Sequence, residues 1–203
     1  MLCTDTFLRL PEEKRARFLT AAWEEFSHTR YMDVSINQII RKAGIPRGSF
    51  YQYFTGKDDL FQYLLSDVRE QFLLLYKRAF QQANGDIFQT QLLVYDRLIH
   101  QEPPCSPLFD CCLRVIQVNA GLDLKHLVSF DKTQTILELF WDILDLSAFR
   151  RQDAAYIRQV FSLTAMALGS AVMDSLHQPE QRADHRRDLE ERLELIKHGC
   201  LNK

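Results

Sequence analysis

The sequence predicts an all-α protein, and three observations support that fold class. The chain of 203 residues contains only 7 Gly and 6 Pro, which leaves few residues for the tight turns that a sheet-rich protein of this length needs. Apolar residues recur at intervals of three and four, as in amphipathic helices. The composition, with 46% hydrophobic and 26% charged residues, is that of an ordinary globular protein. We therefore expect about nine helices.

Two short helices joined by a glycine turn are predicted near the N-terminus. After a first helix that begins near Pro11, a second helix begins at Ser35, where Ser35 and Gln38 have the spacing of a capping box. Gly44 ends this helix, because glycine tolerates the positive φ of a helix C-terminus. A third short helix starts around Pro46. Two short helices around a tight turn are typical of a helix-turn-helix.

Six further helices are predicted after this motif. A long fourth helix starts at residues 55–58 and ends near Gly85. Breakers then divide the apolar pattern into five segments, at about 87–100, 108–118, 132–146, 152–176 and 184–198. The very apolar run from Val160 to Leu176 is short for a membrane span, so we interpret it as a buried helix. We predict a helix-turn-helix domain at residues 1–56 and a helical domain at 57–203.

The charge distribution favours nucleic-acid binding by one segment rather than by the whole chain. The formal net charge is −2, which argues against a general polyanion binder. The segment from Ser35 to Lys57, however, contains Arg41, Lys42, Arg47 and Lys57 and no acidic residue. A local basic segment of this kind is the electrostatic feature expected of a DNA-binding surface.

The string VSINQIIRKAGIPRGSFYQYFTGKDDLF, residues 34–61, combines apolar, glycine and aromatic residues at fixed spacing. The relevant positions are Ile36, Ile39, Ala43, Gly44, Gly48, Phe50, Tyr51, Phe54, Lys57 and Leu60. In this arrangement the segment resembles the DNA-binding domain of the TetR (tetracycline-repressor) family of bacterial regulators. Pro46 and Ile40 depart from the family pattern, which often has Ser or Thr and a small residue there. The resemblance covers about residues 10–65.

The resemblance implies that the third helix enters the DNA major groove. An α-helix fits that groove only if its backbone approaches closely, and the small residues Gly48 and Ser49 allow this approach. Arg47 can bond a guanine edge or a phosphate, and the amide of Gln52 can read a base edge. We therefore assign these four residues as candidate DNA contacts.

Four further residues are candidates for contacts to the DNA backbone. The hydroxyls of Tyr51 and Tyr53 can donate hydrogen bonds to phosphates, which fix the register of the protein without reading sequence. Ser35 and Lys57 stand at helix N-termini, where the helix dipole and free N–H groups favour a phosphate. The alternative for the whole segment is a solvated basic surface on three short helices.

We expect a homodimer that binds a palindromic operator, because two readers on a two-fold axis recognise two half-sites. The resemblance implies that the last two long helices, at about 152–176 and 184–198, form the interface. Ala165 and Gly169 permit close approach of helices, and the first of these helices is apolar on all sides. The alternative is a monomer in which that helix is an ordinary core helix.

The resemblance also implies a small-molecule effector that binds among the middle helices and shifts the population between two states. The candidate pocket residues are Phe88, Tyr95, Phe109, Phe140 and Trp141. Their aromatic character favours an apolar or amphipathic ligand. Each of them can equally be an ordinary core residue.

The cysteines suggest a metal or redox alternative. There are five cysteines, an odd number, and no secretion signal is evident, which favours free thiols in the cytoplasm. Cys105, Cys111 and Cys112 lie near His100, but their spacing does not match a zinc site. We expect no metal and no other cofactor, and we favour inert thiols over an oxidant sensor.

Two other classes of function are less well supported. The chain contains no phosphate-binding glycine loop and no hydrolase or metalloprotease motif, so we expect no enzyme. A helical adaptor that has lost DNA binding is the other alternative, but the intact Arg47, Tyr51 and Lys57 argue against it. The predicted function is a ligand-responsive transcriptional regulator in the cytoplasm, associated with the nucleoid when bound to DNA. Repression is the common mode in the family.

Overall fold

The computed structural model describes residues 3–100, 107–119 and 136–202, without the side chains of residues 67 and 107–109. Ten α-helices lie within these ranges: α1 Asp5–Leu8, α2 Glu12–His28, α3 Ile36–Ala43, α4 Arg47–Tyr53, α5 Lys57–Gln82, α6 Ile87–His100, α7 Pro107–Val118, α8 Ile136–Leu139, α9 Ala154–His177 and α10 Arg182–Cys200. Besides the helices, one isolated antiparallel bridge joins Phe149 and Leu201. The predicted all-α class is confirmed.

The described residues pack into two compact units. The described parts of Met1–Glu70 and Ser106–Ser129 form the first unit, and those of Gln71–Cys105 and Phe130–Lys203 form the second. The first unit therefore contains α1 to α4, the start of α5, and α7. The division between the units falls inside α5. The boundary at residues 56 and 57 remains a prediction about the DNA-binding module.

An aromatic cluster forms the core of the first unit. The rings of Phe7 and Phe54 have centroids 4.8 Å apart, and Phe18 stacks on Phe54 at 5.9 Å. Farther along α2, Phe26 packs on Phe61 of α5 at 4.8 Å. All five rings are buried. Aromatic contacts therefore join α1, α2, α5 and the residue that follows α4.

The start of α3 matches the prediction in part. The hydroxyl of Ser35 accepts the N–H of Gln38 at 3.4 Å, and Gly44 ends the helix with a φ of +65°. The second bond of the capping box is absent among the described residues, because the N–H of Ser35 donates to Glu25 at 3.2 Å. The side chain of Gln38 instead accepts a bond from Arg41.

The helix predicted at 132–146 is found at Ile136–Leu139 but does not continue to residue 146, and residues 132–135 lie outside the description. The helix α8 ends at Leu139, and a short 3-10 turn at Trp141–Ile143 follows. Gly85 explains the departure, because its carbonyl accepts the N–H of Asp145 at 3.1 Å. This long-range backbone bond takes the place of helical hydrogen bonding at residue 145.

In the second unit, α9 buries only one of its faces. The buried residues are Ile157, Val160, Thr164, Leu168, Ala171, Val172 and Ser175. On another face, Leu163 is 52% exposed and Met166 is 70% exposed. The segment interpreted as a buried helix is therefore buried on one face within the single chain. By length and composition alone, α9 could also cross a membrane. Its most apolar 18-residue stretch has a mean hydropathy of 1.2, and 33% of that stretch is buried.

A chain of buried polar groups joins three helices of the second unit. The hydroxyl of Tyr76 in α5 donates to Gln91 in α6 at 2.9 Å, and the amide of Gln91 donates to Thr164 in α9 at 3.1 Å. Burial raises the pKa of Tyr76 above its ordinary value. Because both buried amide atoms of Gln91 have partners, this chain fixes the relative register of these three helices without an unsatisfied polar group.

Candidate nucleic-acid interface

One face of α4 is exposed and carries residues that suit a DNA groove. Arg47, Gly48, Tyr51 and Gln52 are all exposed, whereas Phe50 between them is buried. The spacing of four residues within the pairs 47 and 51, and 48 and 52, places the exposed residues on one side of the helix. The structure therefore brings together four of the eight predicted DNA contacts.

Gly48 has no structural reason to be a glycine. A Cβ atom added at this position would meet no other atom within 4 Å. Gly48 is the second residue of α4, and glycine favours the helix less than alanine does. Internal packing in the described residues therefore does not require a glycine at this position.

Tyr53 and Ser49 are less exposed than the other candidate residues of α4, and a DNA contact by either of them remains a prediction. Tyr53 is only 4% exposed, and its ring packs against Phe7 and Phe18 with centroids 5.6 and 6.4 Å apart. It is a core residue of α4 rather than an exposed one. Ser49 is half-buried at the edge of the exposed face.

The N-terminus of α3 is partly occupied by a buried acidic residue. Glu25 of α2 is 8% exposed, and its carboxylate accepts the N–H of Ser35. A carboxylate at a helix N-terminus is stabilised by the helix dipole in the same way as a phosphate. The backbone N–H of Ser35 is therefore already used. The sequence did not reveal this contact, because the two residues belong to different helices.

Lys57 already holds the turn that precedes α3. Its ammonium group donates to the carbonyls of Tyr31 and Met32, each at 2.9 Å, and lies 5.1 Å from the centroid of the Tyr31 ring. The Tyr31 hydroxyl donates to Asp58, and desolvation together with this carboxylate raises the pKa of Tyr31. A lysine ammonium has three donors, so Lys57 retains one for a phosphate.

The segment that is free of acidic residues in sequence has acidic neighbours in space. Lys42 forms an ion pair with Glu24 of α2 at 3.1 Å. Arg17, which lies outside the segment, donates to the carbonyl of Ala43 at 2.9 Å. Arg47 is exposed. The charge of Lys42 on α3 is therefore paired within the protein, whereas Arg47 carries its charge on the exposed face of α4.

A residue from later in the chain supports the same turn, and sequence reasoning missed it. Asn119, directly after α7, is 3% exposed and accepts the backbone N–H of Tyr31 at 2.7 Å. Its own amide donates to the carbonyl of Val115 at 2.8 Å. The turn before α3 is thus held by α5 on one side and by α7 on the other. No short-range sequence signal indicates a contact over 88 positions.

Two of the predicted pocket residues pack as core residues of the second unit. Phe88 is buried and stacks on Phe149, with ring centroids 6.0 Å apart. Phe140 is buried against Phe80 at 5.8 Å. These contacts account for both rings by packing alone, and a role in ligand binding remains a prediction.

The other predicted pocket residues have different environments. The fully buried Tyr95 shares a hydrogen bond of 2.6 Å with Ser175 and donates to the carbonyl of Arg182 at 3.0 Å. Trp141 is half-buried in the 3-10 turn. The side chain of Phe109 lies outside the described residues. The hydroxyl of Tyr95 therefore joins α6 to α9 and α10.

The described cysteines have little thiolate character. Cys111 and Cys112 are free, and desolvation raises the pKa of Cys112 to about 11 and also raises that of Cys111. Because the thiolate is the reactive form, a raised pKa disfavours rapid oxidation at neutral pH. Cys105 lies outside the described residues. Within the described part of the chain, no group of three or more metal-ligating side chains occurs.

Comparison with known proteins finds a family match for the segment that contains α3 and α4. Residues 18–64 match the model of bacterial regulatory proteins of the tetR family. The chain is 42% identical over 55 residues to the uncharacterized HTH-type transcriptional regulator YdgC of Bacillus subtilis (strain 168), a match of 27% of this chain and 28% of YdgC. The match therefore spans little more than a quarter of that relative.

Two longer matches extend beyond α3 and α4. The chain is 25% identical over 165 residues to the HTH-type transcriptional regulator SAR2658 of Staphylococcus aureus (strain MRSA252), which covers 80% of this chain and 82% of that protein. The fold is similar to that of the SmeT–triclosan complex, with a TM-score of 0.61, 15% identity, and coverage of 95% and 93% of the two chains. The relatives are named regulators, which supports the prediction that the chain is not an enzyme. From the helix-turn-helix and these matches together, residues 18–64 are similar to the bacterial regulatory proteins of the tetR family, and the relatives that match this chain are HTH-type transcriptional regulators.

Proposed function

We propose that this chain is a ligand-responsive, sequence-specific transcriptional regulator that binds a palindromic operator as a homodimer, with repression as its mode. The exposed face of α4 carries this proposal. Its glycine has no internal packing role, and its neighbours Arg47, Tyr51 and Gln52 are exposed. A helix face that carries a glycine has no side chain at that position, which suits close approach of the backbone to the DNA major groove. The protein acts in the cytoplasm and lies on the nucleoid when DNA-bound.

Within this proposal the candidate residues have different roles. Arg47 and Gln52 contact base edges, and Tyr51 donates to a phosphate. Ser49 and the hydroxyl of Ser35 are weaker candidates, because Ser49 is half-buried and the Ser35 hydroxyl already accepts one bond. The remaining donor of Lys57 can bind a phosphate while the other two hold the turn before α3.

The experiment that tests the proposal is an unbiased selection of random DNA duplexes on the purified protein at near-physiological salt. A recovered palindrome with two half-sites supports a dimeric operator reader. Recovery of no preferred sequence, with binding that disappears steeply as salt rises, indicates non-specific binding only. No binding at any salt concentration supports the adaptor alternative.

Replacing Arg47 with alanine is expected to weaken binding to the selected duplex by about 1–3 kcal/mol and to relax the preferred base at one position of each half-site. The reason is that arginine contacts a guanine edge with two hydrogen bonds in the major groove. A repeated selection with the variant measures both effects. Arg78→Ala, on the exposed surface of α5, is the control and should bind like the wild type. Unchanged affinity and site preference for Arg47→Ala would contradict the assigned role.

The variant Gly48→Ala is expected to separate stability from DNA binding. The free protein should become more stable by up to about 0.5 kcal/mol, because alanine favours the helix, while affinity for the selected duplex should fall. Gly199→Ala is the matched control, since an added Cβ there also meets no atom within 4 Å. It should gain stability without losing affinity. Thermal unfolding and duplex binding of the two variants provide the comparison, and tighter binding by Gly48→Ala would oppose the groove role.

The dimer part of the proposal is supported by exposed apolar residues on the last two long helices. Leu163 and Met166 of α9 and Leu195 of α10 are 52%, 70% and 75% exposed. Exposed large apolar side chains on adjoining helices are typical of a surface that a partner covers. Gly169 is also exposed on α9 and allows close approach. These residues lie within the predicted interface segments, 152–176 and 184–198.

The effector part of the proposal rests on the second unit and on one structural relative. The structure of SmeT was determined as a complex with triclosan, and this chain shares its fold. The aromatic residues Phe88, Tyr95, Phe140 and Trp141 of the second unit are the candidates for a site that takes a small apolar molecule. Release of the selected duplex by members of a panel of such molecules, each compared with a charged analogue, tests this part of the proposal.

A further inference from the structure

The reader helix α4 has few stabilising features of its own. It spans seven residues, which is too short for a helix to persist without tertiary contacts. The residue before it, Pro46, makes no side-chain capping bond, and Gly48 within it disfavours helix. The geometry of its exposed residues must therefore be set by neighbouring segments.

A single residue near the N-terminus satisfies the last carbonyls of α4. The hydroxyl of Thr4 donates to the carbonyl of Gln52 at 2.6 Å, and the backbone N–H of Thr4 donates to the carbonyl of Tyr53 at 3.1 Å. The last four carbonyls of a helix have no partner within it. A third, that of Phe50, accepts the N–H of Phe54 at 2.9 Å. Thr4 therefore acts as the C-terminal cap of the reader helix.

Thr4 does this instead of capping its own helix. It occupies the N-cap position of α1, where threonine side chains commonly bond the helix N-terminus, but it makes no such side-chain bond. Only its carbonyl accepts the N–H groups of Phe7 and Leu8. The hydroxyl is thus committed to a helix 48 positions away in sequence.

The segment that carries Thr4 is anchored beneath α4 by one aromatic side chain. Phe7 is fully buried. Besides Phe54 at 4.8 Å, its ring contacts Tyr63 of α5 at 5.3 Å and Phe18 of α2 at 5.6 Å. At the end of α1, the carbonyl of Leu8 accepts a bond from Arg15 of α2 at 3.1 Å. The position of Thr4 is therefore determined by contacts to α2 and α5 as well as to α4.

We propose that residues 3–8, the N-terminal arm, position the reader helix for its operator, with Thr4 as the positioning residue. This inference rests on the proposed function of α4 as the DNA reader. The arm lies outside residues 18–64, which match the family model. The contacts of the arm with α4 are therefore not part of that match. By fixing the last turn of α4, the arm holds Gln52 and Tyr51 in the geometry that recognises a specific site.

The test compares Thr4→Val, which removes the hydroxyl, with Thr4→Ser, which keeps it. We expect Thr4→Val to bind the selected duplex about 2- to 10-fold more weakly, the value of one hydrogen bond, while its binding to a random duplex at the same salt is unchanged. Thr4→Ser should recover most of the specific affinity. Equal losses in specific and random binding, or a loss in Thr4→Ser as large as in Thr4→Val, would overturn the proposal.

Hydrogen exchange of the free protein supplies a test that does not need DNA. We expect Thr4→Val to exchange faster at the amide of Phe54, which bonds the last turn of α4, and to leave the amides of α2 unchanged. Unchanged exchange at residue 54, or a uniform increase over the first unit, would contradict the positioning role. If the wild type binds no duplex, the proposed function fails, and this measurement still decides whether the arm holds α4.

Discussion

Gly85→Ala is expected to lower the free energy of unfolding by about 2–5 kcal/mol. Gly85 has a φ of +82°, and a Cβ added there would lie 2.2 Å from the carbonyl oxygen of Ile143 and 2.5 Å from the nitrogen of Asp145. The left-handed conformation costs a residue with a Cβ about 1–2 kcal/mol, and overpacking adds about 1–3 kcal/mol. Both contacts are to backbone atoms, which cannot rotate away.

Urea denaturation followed by circular dichroism measures this loss. Gly199→Ala is the control, because its added Cβ has no neighbour within 4 Å and its φ is not positive. The control should be as stable as the wild type or slightly more stable. Equal stability of Gly85→Ala and Gly199→Ala would contradict the positive φ of Gly85 and the close approach of residues 143–145 to it.

Met166→Glu is expected to abolish both dimerisation and operator binding. Met166 is 70% exposed on α9, among the apolar residues of the proposed interface. A two-fold interface repeats every substitution, so each dimer would bury two carboxylates without partners. Unpaired buried charge is strongly unfavourable. Because a palindromic site needs both readers, loss of the dimer removes most of the specific affinity.

Sedimentation and duplex binding at the same protein concentration check this result. The control is Leu74→Glu, which places the same charge on an exposed leucine of α5, outside the proposed interface. The control should remain a dimer and bind the selected duplex normally. A Met166→Glu variant that is still dimeric would remove this face of α9 from the interface. A monomeric variant that binds the duplex as tightly as the wild type would exclude the need for a dimer.

Several features of the fold followed from local sequence signals. The helix predicted at 87–100 is found as Ile87–His100, and the cap at Ser35 and the break at Gly44 occur where they were predicted. These signals are local because a cap, a left-handed glycine or an amphipathic period depends on a few adjacent residues. The exposed face of α4 also follows from a local signal. With 3.6 residues per turn, Phe50 points to the core while Arg47 and Tyr51 lie on another side of the helix.

Other features depend on residues that are distant in sequence. The helix α1 has only four residues, too few for a periodic pattern, and it is held by the contacts of Phe7 and Thr4. The burial of Tyr53 also depends on α1, because the Phe7 ring packs against it. Likewise, the basic segment has no acidic residue in sequence, but Glu24 and Glu25 of α2 reach it in space.

The sequence by itself determined the helical class and the helix-turn-helix, because short-range periodicity and steric preferences specify them, and its resemblance to the TetR family implied the candidate contacts Arg47, Gly48 and Gln52. Only the tertiary structure decided that Thr4 caps the reader helix and that residues 143–145 leave the helical path at Gly85. The physical reason is that backbone groups must find hydrogen-bond partners wherever they are buried or at a helix end. When the partner lies tens of residues away, no local pattern specifies it.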